Sequence, residues 1–409
     1  MTAQTKPTQT ACCIIGGGPA GMMLGFLLAR RGIDITVLEK HKDFFRDFRG
    51  DTIHPSTLQL MHELGLYDAF LALPHQQLNN LSIVVGGQTI PVADFTHLPT
   101  RAKFIALMPQ WDFLNFLAAE ASKFPNFHLL MEHEVTGLID SRLGIVGVRA
   151  NTPNGIVEIR TPLTVACDGR HSTARTCAGL TVEETGVPID VLWFRLSRHP
   201  GEPENALGNI NYGNLLILIN RGDYYQCGFI IAKDSFSTRV KPAGLEAFRQ
   251  SLIQLVPFLS GRVHEISTWD QIKLLTVQVN HLERWHVPGL LLIGDAAHAM
   301  SPVGGIGINL AIQDAVAAAR ILAPPLSNRT GRPIVTELTL AQVQHRRQFP
   351  TRVTQGFQVI AHRILSRALG NPAPIDPSWL LRQLASQTIT RRIAARFVGI
   401  GIRPEHIQP

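Results

Sequence analysis

Three stretches of this chain carry residues whose types and spacing suit nucleotide chemistry: GGGPAG at 16–21, CDGRHSTAR at 167–175 and GDAAHAMSPVGGIGIN at 294–309. In the first, Gly16, Gly18 and Gly21 fit GxGxxG. The first glycine turns the chain, the second lets the backbone approach a pyrophosphate, and the third packs helix on strand. Pro19 and Ala20 then open a helix whose free N–H groups and positive dipole end point at the phosphates. Glu39, followed by Lys40, closes the next strand 18 residues after Gly21, where a carboxylate can accept from a ribose 2′-hydroxyl. A phosphate there would meet a carboxylate, so an unphosphorylated adenosine nucleotide is expected. This stretch does not choose between NAD and FAD.

The elements that must position these residues are legible around them. Ala11 to Ile15 reads as a buried strand, Gly18 to Arg31 as a helix stopped by Gly32, and Asp34 to Leu38 as a second strand, which together make a βαβ unit. Pro55 can open a helix to about Leu64, with Gly65 as its stop. Residues 78–98 read as a β-hairpin around Gly86-Gly87, and Trp111 to Ala121 as a helix with Gln110 just ahead. Leu129 to Ile139, Ile145 to Ala150 and Val157 to Ile159 read as a meander. Leu163 to Ala166 is a buried strand ending in Asp168-Gly169, with Ser172 as cap of the helix carrying Arg175. From 186 to 280 the pattern is a mostly antiparallel sheet with a helical insert at Leu245 to Leu255. It is a candidate pocket wall carrying Trp193, Arg195, Tyr212, Tyr224 and Tyr225. Asp295 follows the buried run Leu290 to Ile293, where parallel strands end and ligands bind. Gly304, Gly305 and Gly307 precede an Ala-rich helix from about Ile308 to Leu322. That helix start stabilises an anion, and a reduced flavin is anionic at one edge of its ring, so one long cofactor held at both ends accounts for both glycine loops. Residues 337–409 hold two helical patterns, about 338–369 and 377–397.

In this order, the three motifs resemble the class A flavoprotein aromatic hydroxylases, the single-component FAD monooxygenases with the fold of 4-hydroxybenzoate hydroxylase, over about residues 11–325. The resemblance implies an α/β fold: a Rossmann-like FAD-binding domain of the GR2 type in three segments (1–77, 99–184, 281–336), a substrate-binding β-sheet domain (78–98 and 185–280) and a C-terminal helical region (337–409). It places the pyrophosphate at Gly16, Gly18, Pro19, Ala20 and Gly21, and the adenosine ribose at Glu39 beside Lys40. Arg49 would lie near pyrophosphate and ribitol, with Gln110 and Val135 as further FAD contacts. Asp168 matches an Asp-Gly motif tied to FAD and NAD(P)H, Asp295 the ribitol aspartate, and Pro302 with Gly304 to Asn309 (Gly305, Gly307, Ile308 and Asn309 among them) the loop lining the isoalloxazine. Trp193, Arg195, Tyr212, Tyr225 and Pro302 are the expected substrate contacts. The implied reaction is reduction of FAD by NAD(P)H, addition of O₂ at C4a, and oxygen transfer from the hydroperoxide to a phenolic or polycyclic aromatic molecule. Candidates for a base that ionises a phenol are His54, His298 and Tyr225. Family members often carry Gly-Gln-Gly where this chain has Gly305-Ile306-Gly307, which keeps the backbone donors and loses a polar side chain. The single GxGxxG fits transient nicotinamide binding and leaves NADH versus NADPH open. Alternatives are an FAD-dependent halogenase, an isoprenoid-lipid or quinone-pathway oxidoreductase, or a flavoprotein that sequesters an aromatic ligand. The WxWxIP stretch of tryptophan-type halogenases is absent around Trp193, Trp269 and Trp285.

Composition narrows the rest. With 409 residues, 45% hydrophobic and 17% charged, the chain is long enough for a large core and two or three domains. The net charge of +7 suits anionic substrates, nicotinamide phosphates or a membrane surface; the basic residues are not interleaved with aromatics, so nucleic acid is not an expected partner. Five cysteines at 12, 13, 167, 177 and 227 form no CxxC pair and read as buried thiols. The 16 histidines are scattered, and no metal site is expected. The leading MTAQTKPTQT lacks an apolar signal core, and Asp295 breaks the most tempting apolar window, so a cytoplasmic monomer or homodimer is expected. RRIAARFVGIGIRP from 391 mixes Arg with apolar residues and could lie on a membrane; packing against the FAD domain is the plainer reading.

Overall fold

The apolar run at 12–15 becomes the central strand of a parallel sheet, Cys12–Ile15, with all four residues buried. In the computed structural model, which describes residues 9–45, 52–203, 207–327, 335–369 and 373–407, its parallel neighbours are Ile35–Leu38 and Thr164–Ala166. Phe127–Leu130 extends the sheet beyond Ile35–Leu38 and Leu290–Leu292 beyond Thr164–Ala166, both in parallel, and His286–Val287 closes it as an antiparallel edge. Runs apolar at every position are what a sheet buried on both faces requires.

Among the described residues the helices are α1 (Pro19–Arg30), α2 (Pro55–Glu63), α3 (Tyr67–Leu71), α4 (Gln110–Ala121), α5 (Thr173–Cys177), α6 (Leu245–Leu255), α7 (Ile306–Leu326), α8 (Glu337–Ala368), α9 (Trp379–Ser386) and α10 (Thr388–Gly399). One hydrophobic core joins the parallel sheet, α1, α4, α7 and the meander formed by Glu134–Ser141, Gly144–Thr152 and Gly155–Arg160.

The second layer is a seven-stranded sheet in the order Lys273–Leu275, Ile189–Ser197, Tyr224–Ala232, Asn214–Asn220, Leu207–Asn211, Asn80–Val85 and Gln88–Asp94. The hairpin expected at 78–98 is the edge of this sheet. Alternation along Ile189–Ser197 sends Val191 and Trp193 to one face and Leu192, Phe194 and Leu196 to the other. The second face is covered by α6 through Phe248 and Leu252.

Several expected boundaries shift, each for a local reason. The run at 129–139 splits: Phe127–Leu130 joins the parallel sheet, and Glu132, at φ 55°, turns the chain into the meander while its N–H donates to His41 O. The Ala-rich helix starts at Ile306, because Gly305 at φ 63° supplies its N-cap and removes the need for a later start. The pattern at 377–397 is two helices separated at Gln387, whose extended backbone caps α10. Val303–Leu326 is long and apolar enough to cross a membrane by length and composition, and 78% of its apolar window is buried; Asp295 stands ahead of this window and not within it. Among the cysteines, Cys12, Cys13 and Cys227 are buried, while Cys177 is exposed on the short α5; burial pushes the Cys13 thiol up to about 12. Among the described residues no cluster of ligating side chains forms a metal site. α10 packs inward through Ala395 and Gly399, the latter close to Phe95, Leu98 and Pro55, and leaves Ile389 and Ile393 outward.

Candidate functional site

The carboxyl ends of Leu290–Leu292, Thr164–Ala166, Cys12–Ile15 and Ile35–Leu38 lie side by side on one edge of the parallel sheet. Asp295, Asp168, the GGGPAG turn and Glu39 all stand just past these ends, so motifs nearly 280 residues apart in the chain meet on one edge. Carboxyl edges of open parallel sheets are where ligands bind.

The three glycines of the first motif meet three different demands. Gly16 has φ 97°, and a Cβ on it would stand 2.5 Å from Cys167 O. A Cβ on Gly21 would stand 2.0 Å from Gly16 O, which fixes how closely α1 approaches its strand. Around Gly18 nothing lies within 4 Å, so this position faces open space at the N-terminus of α1, with Pro19 at the first helical turn and Ala20 buried behind it. Glu39 is held in place: Oε2 accepts from Gly17 N at 3.0 Å, and Oε1 accepts from His41 N at 3.0 Å and lies 2.5 Å from His41 Nδ1. A cavity of about 400 Å³ beside it is lined by Lys40, His41, Glu132 and Glu134. Val135, next along the strand, points into the core.

Between the second and third motifs, Arg170 Nη2 donates to Asp295 Oδ2 at 3.3 Å, and Arg175 donates to Ala296 O at 3.0 Å and to Arg170 O at 2.6 Å. Ser172 caps α5 as expected, its Oγ accepting from Arg175 N at 3.0 Å. Asp168 Oδ2 accepts from Ala174 N at 3.1 Å. Its Oδ1 and Arg170 Nη1 are buried without a hydrogen-bond partner among the described residues. Burial raises the Asp168 carboxyl above its usual range, against the hydrogen bonds from Ser172 and Ala174.

The loop at 301–305 leads into α7. Gly304 and Gly305 both have positive φ, 79° and 63°, and a Cβ on Gly305 would meet Thr52 Oγ1 at 2.2 Å. Pro302, Gly307 and Ile308 are partly exposed around this turn. The Asn309 side chain is engaged within the protein: Oδ1 accepts from His54 N and Thr57 Oγ1, and Nδ2 donates to Thr52 O and Gly305 O. Its side chain locks the loop to the strand Thr52–Ile53. Gln110 is the first residue of α4, half-buried, after Pro109 at the N-cap. Arg49 lies outside the described residues.

On the seven-stranded sheet, Trp193 and the loop residue Val303 pack in one cluster, which turns this face toward the loop. The Trp193 ring lies over Gly228, whose Cβ would meet it at 3.0 Å. Arg195 shares that side and stacks on Tyr224, 4.9 Å from the ring centre. Tyr225 is set apart. It is 1% exposed on the opposite face with Phe194 and Cys227, and its hydroxyl donates to Pro203 O at 2.8 Å. Tyr212 sits with Gly213 in a two-residue hairpin turn, both at positive φ, away from Trp193 in sequence and role. Of the three base candidates, Tyr225 is thus buried elsewhere. His54 donates from Nδ1 to Val398 O at 2.7 Å, and burial lowers its pKa to about 4, so it is neutral. His298 Nε2 pairs with Asp314 Oδ2 at 2.5 Å, both fully buried.

The support behind the loop was not visible in the sequence pattern. Asp314 binds Arg347 Nε through Oδ1 at 2.9 Å, accepts from Gly294 N at 3.2 Å, and so ties α7, α8 and the GDAAH turn together. Gln355 Nε2 donates to Asn280 O and Ala299 O, and Gln358 donates to Ser301 O and Val303 O. The one available signal was Asp314 itself, a lone acid inside an apolar helix, which burial permits only with a cationic partner.

The model of the family described as FAD binding domain matches residues 9–356. The chain belongs to this family. 6-Methylpretetramide 4-monooxygenase of Streptomyces rimosus is 28% identical over 403 residues, covering 96% of this chain and 95% of that protein. Rifampicin monooxygenase of Streptomyces venezuelae is 27% identical over 322 residues, 74% of this chain, a match spanning 61% of that protein's length. Among solved structures, p-nitrophenol 4-monooxygenase of Pseudomonas putida shares the fold with a TM-score of 0.78 at 18% identity, covering 97% of this chain and 100% of that one. The flavoprotein is an FAD-dependent monooxygenase of the class A aromatic hydroxylase type. Its edge fits such a cofactor on its own terms: open space over Gly18 and two buried polar atoms, Asp168 Oδ1 and Arg170 Nη1, without partners among the described residues.

Proposed function

We propose that this flavoprotein consumes NAD(P)H and O₂ to hydroxylate a phenolic or polycyclic aromatic small molecule. The observation that carries the reading is the packing of Val303, from the loop before α7, against the buried cluster of the seven-stranded sheet that includes Trp193. That packing brings a cofactor loop and an apolar wall to one place. The substrate in the name of the Streptomyces rimosus relative, 6-methylpretetramide, supports a polyketide-type aromatic.

In this reading Gly16, Gly18, Pro19, Ala20 and Gly21 take the pyrophosphate, Glu39 and Lys40 the adenosine ribose, and Asp295 the ribitol. Asp168 and Gln110 flank that path, and Val135 supports it from the core; the contact expected of Arg49 stays an expectation from the resemblance. When bound, FAD carries the electrons from NAD(P)H to O₂ and supplies the electrophilic oxygen. The chain's own work is positioning and electrostatics. The start of α7, at Gly307 and Ile308, offers backbone N–H groups to negative charge on the ring, while Gly305 N donates to Pro302 O at 3.0 Å and shapes the turn before it. Asn309 acts by holding that start in place. Trp193 and Pro302 exclude water around an aromatic ring, and Arg195 offers a cation at the polar end of the same wall. His54, whose pKa burial lowers to about 4, is a weak base with Nδ1 committed to Val398 O, His298 is paired with Asp314, and Tyr225 lies on the far face, so proton removal from a phenol is assigned to no side chain.

Turnover is the test. In the FAD-loaded enzyme, NAD(P)H oxidation should be slow alone and accelerate with a substrate from a panel of mono- and polycyclic phenols, giving a product heavier by one oxygen. Binding without acceleration across the panel would turn the reading toward ligand sequestration.

Two glycine variants check the cofactor cradle. Gly18→Ala adds a methyl to open space, so apoprotein stability should stay within about 1 kcal/mol while FAD binds roughly tenfold more weakly. Gly21→Ala, with its methyl 2.0 Å from Gly16 O, should cost about 1–3 kcal/mol of stability. Thermal unfolding and a flavin-fluorescence titration measure both, and equal FAD affinity in Gly18→Ala and the parent would contradict the cradle.

A further inference from the structure

Ser301 is gripped on every polar atom it has. Its N–H donates to Gln358 Oε1 at 3.1 Å and its carbonyl accepts from Gln358 Nε2 at 3.0 Å, so one amide side chain pairs with both backbone groups. The same Nε2 donates to Val303 O at 3.1 Å. Ser301 Oγ accepts from Val303 N at 3.1 Å and lies 2.6 Å from His362 Nε2. One turn of helix earlier, Gln355 holds Ala299 O at 3.1 Å. Ser301, Gln358 and His362 are each at most 1% exposed. Residues 355, 358 and 362, three and four apart, fall on one face of α8.

Ser301 Oγ accepts from Val303 N and keeps its own hydrogen and a second lone pair, so it can meet His362 Nε2 as donor or as acceptor. Burial lowers the pKa of the His362 ring, which favours its neutral form, and Nδ1 has no hydrogen-bond partner among the described residues. Ser301 is thus the imidazole's one polar contact among the described residues.

We propose that His362 and Gln358 are positioning residues for the monooxygenase reaction: through Ser301 they set the loop 301–305 against the reacting ring of FAD. The inference rests on the reading above that this loop lines the isoalloxazine. Loop and reacting ring must agree closely, since a displacement of about 1 Å far from the chemistry can cost on the order of 100-fold in rate. A long helix near the chain's C-terminal end, remote in sequence from the nucleotide motifs, thereby takes part in tuning the flavin.

The test uses the full chain reconstituted with FAD alone, with no substrate. The readout is the midpoint potential of the bound flavin, which a merely structural role would not move. Ser301→Ala removes one oxygen, and His362→Leu removes the hydrogen-bonding nitrogen while keeping bulk. Each should change the relative affinity for reduced and oxidised FAD about tenfold, a shift of about 30 mV for a two-electron couple. His362→Gln, whose amide returns both a donor and an acceptor near the place of Nε2, should restore most of the shift. Gly304→Ala, which strains the loop directly at φ 79°, is the control. If Gly304→Ala moves the potential and Ser301→Ala does not, the inference fails and the loop assignment stands. If neither moves it, the loop assignment fails as well. Should His362→Leu not fold, Ser301→Ala decides.

Discussion

Asp314→Ala will cost the apoprotein about 3–5 kcal/mol, with a fall in Tm on the order of 10 °C. Asp314 is fully buried between His298 and Arg347, which is itself 1% exposed and also donates to Arg403 O. Removing the acid takes away the partner of the buried His298 imidazole and leaves Arg347, among the described residues, with Glu405 Oε1 at 3.6 Å as its counter-charge, and that loss of close pairing in a desolvated place is the source of the large figure. Burial alone would raise the Asp314 carboxyl, but His298 and Arg347 outweigh it and hold it below the ordinary range. Its stabilising contribution is therefore present above the unfolded-state pKa and lost as pH falls through the lower folded value. The variant should show a flatter acid limb of stability than the parent. Urea unfolding across pH 3–7 measures both effects, and a loss under about 1 kcal/mol at neutral pH would show that the network contributes little net stability.

Asp295→Ala will do the opposite. Its ion pair with Arg170 spans 3.3 Å with both side chains a quarter to a third exposed, so the apoprotein should lose less than about 1 kcal/mol. FAD affinity should fall on the order of 10- to 100-fold, the range for a lost hydrogen bond to a charged group. Gel filtration followed by flavin absorbance reads the outcome directly. Full flavin retention would remove Asp295 from the ribitol contact. Two aspartates 19 residues apart in sequence thus part company, one in the scaffold and one in the proposed cofactor site.

The residues that were legible early share one property: their demands are local. Gly16 needs its positive φ, Gly21 its missing Cβ, and Ser172 its cap, each within a few residues or against the next strand. Strand-end acids such as Asp168 and Asp295 could be read because a short apolar run followed by an acid is itself the signal for a carboxyl edge. Asn309 shows the limit of that reading. Its position beside the loop was recognisable, but its side chain is spent on Thr52, His54, Thr57 and Gly305, which only the folded chain brings to it.

Faces and partners belonged to the tertiary structure. Alternation showed that Trp193 and Leu192 must point opposite ways, yet which face met the loop was decided by Val303. The same packing sent Tyr225 to the far side under α6. Gln358 and His362 looked like ordinary polar helix residues, because the backbone N–H and the serine hydroxyl they meet lie 57 and 61 residues away. By itself the sequence determined the nucleotide motifs, the alternating βαβ order and the family, since short-range backbone geometry and periodicity are written residue by residue. The fold alone decided which buried polar groups answer one another, because the cost of leaving a charge or amide unpaired is settled by whichever distant segment arrives to meet it.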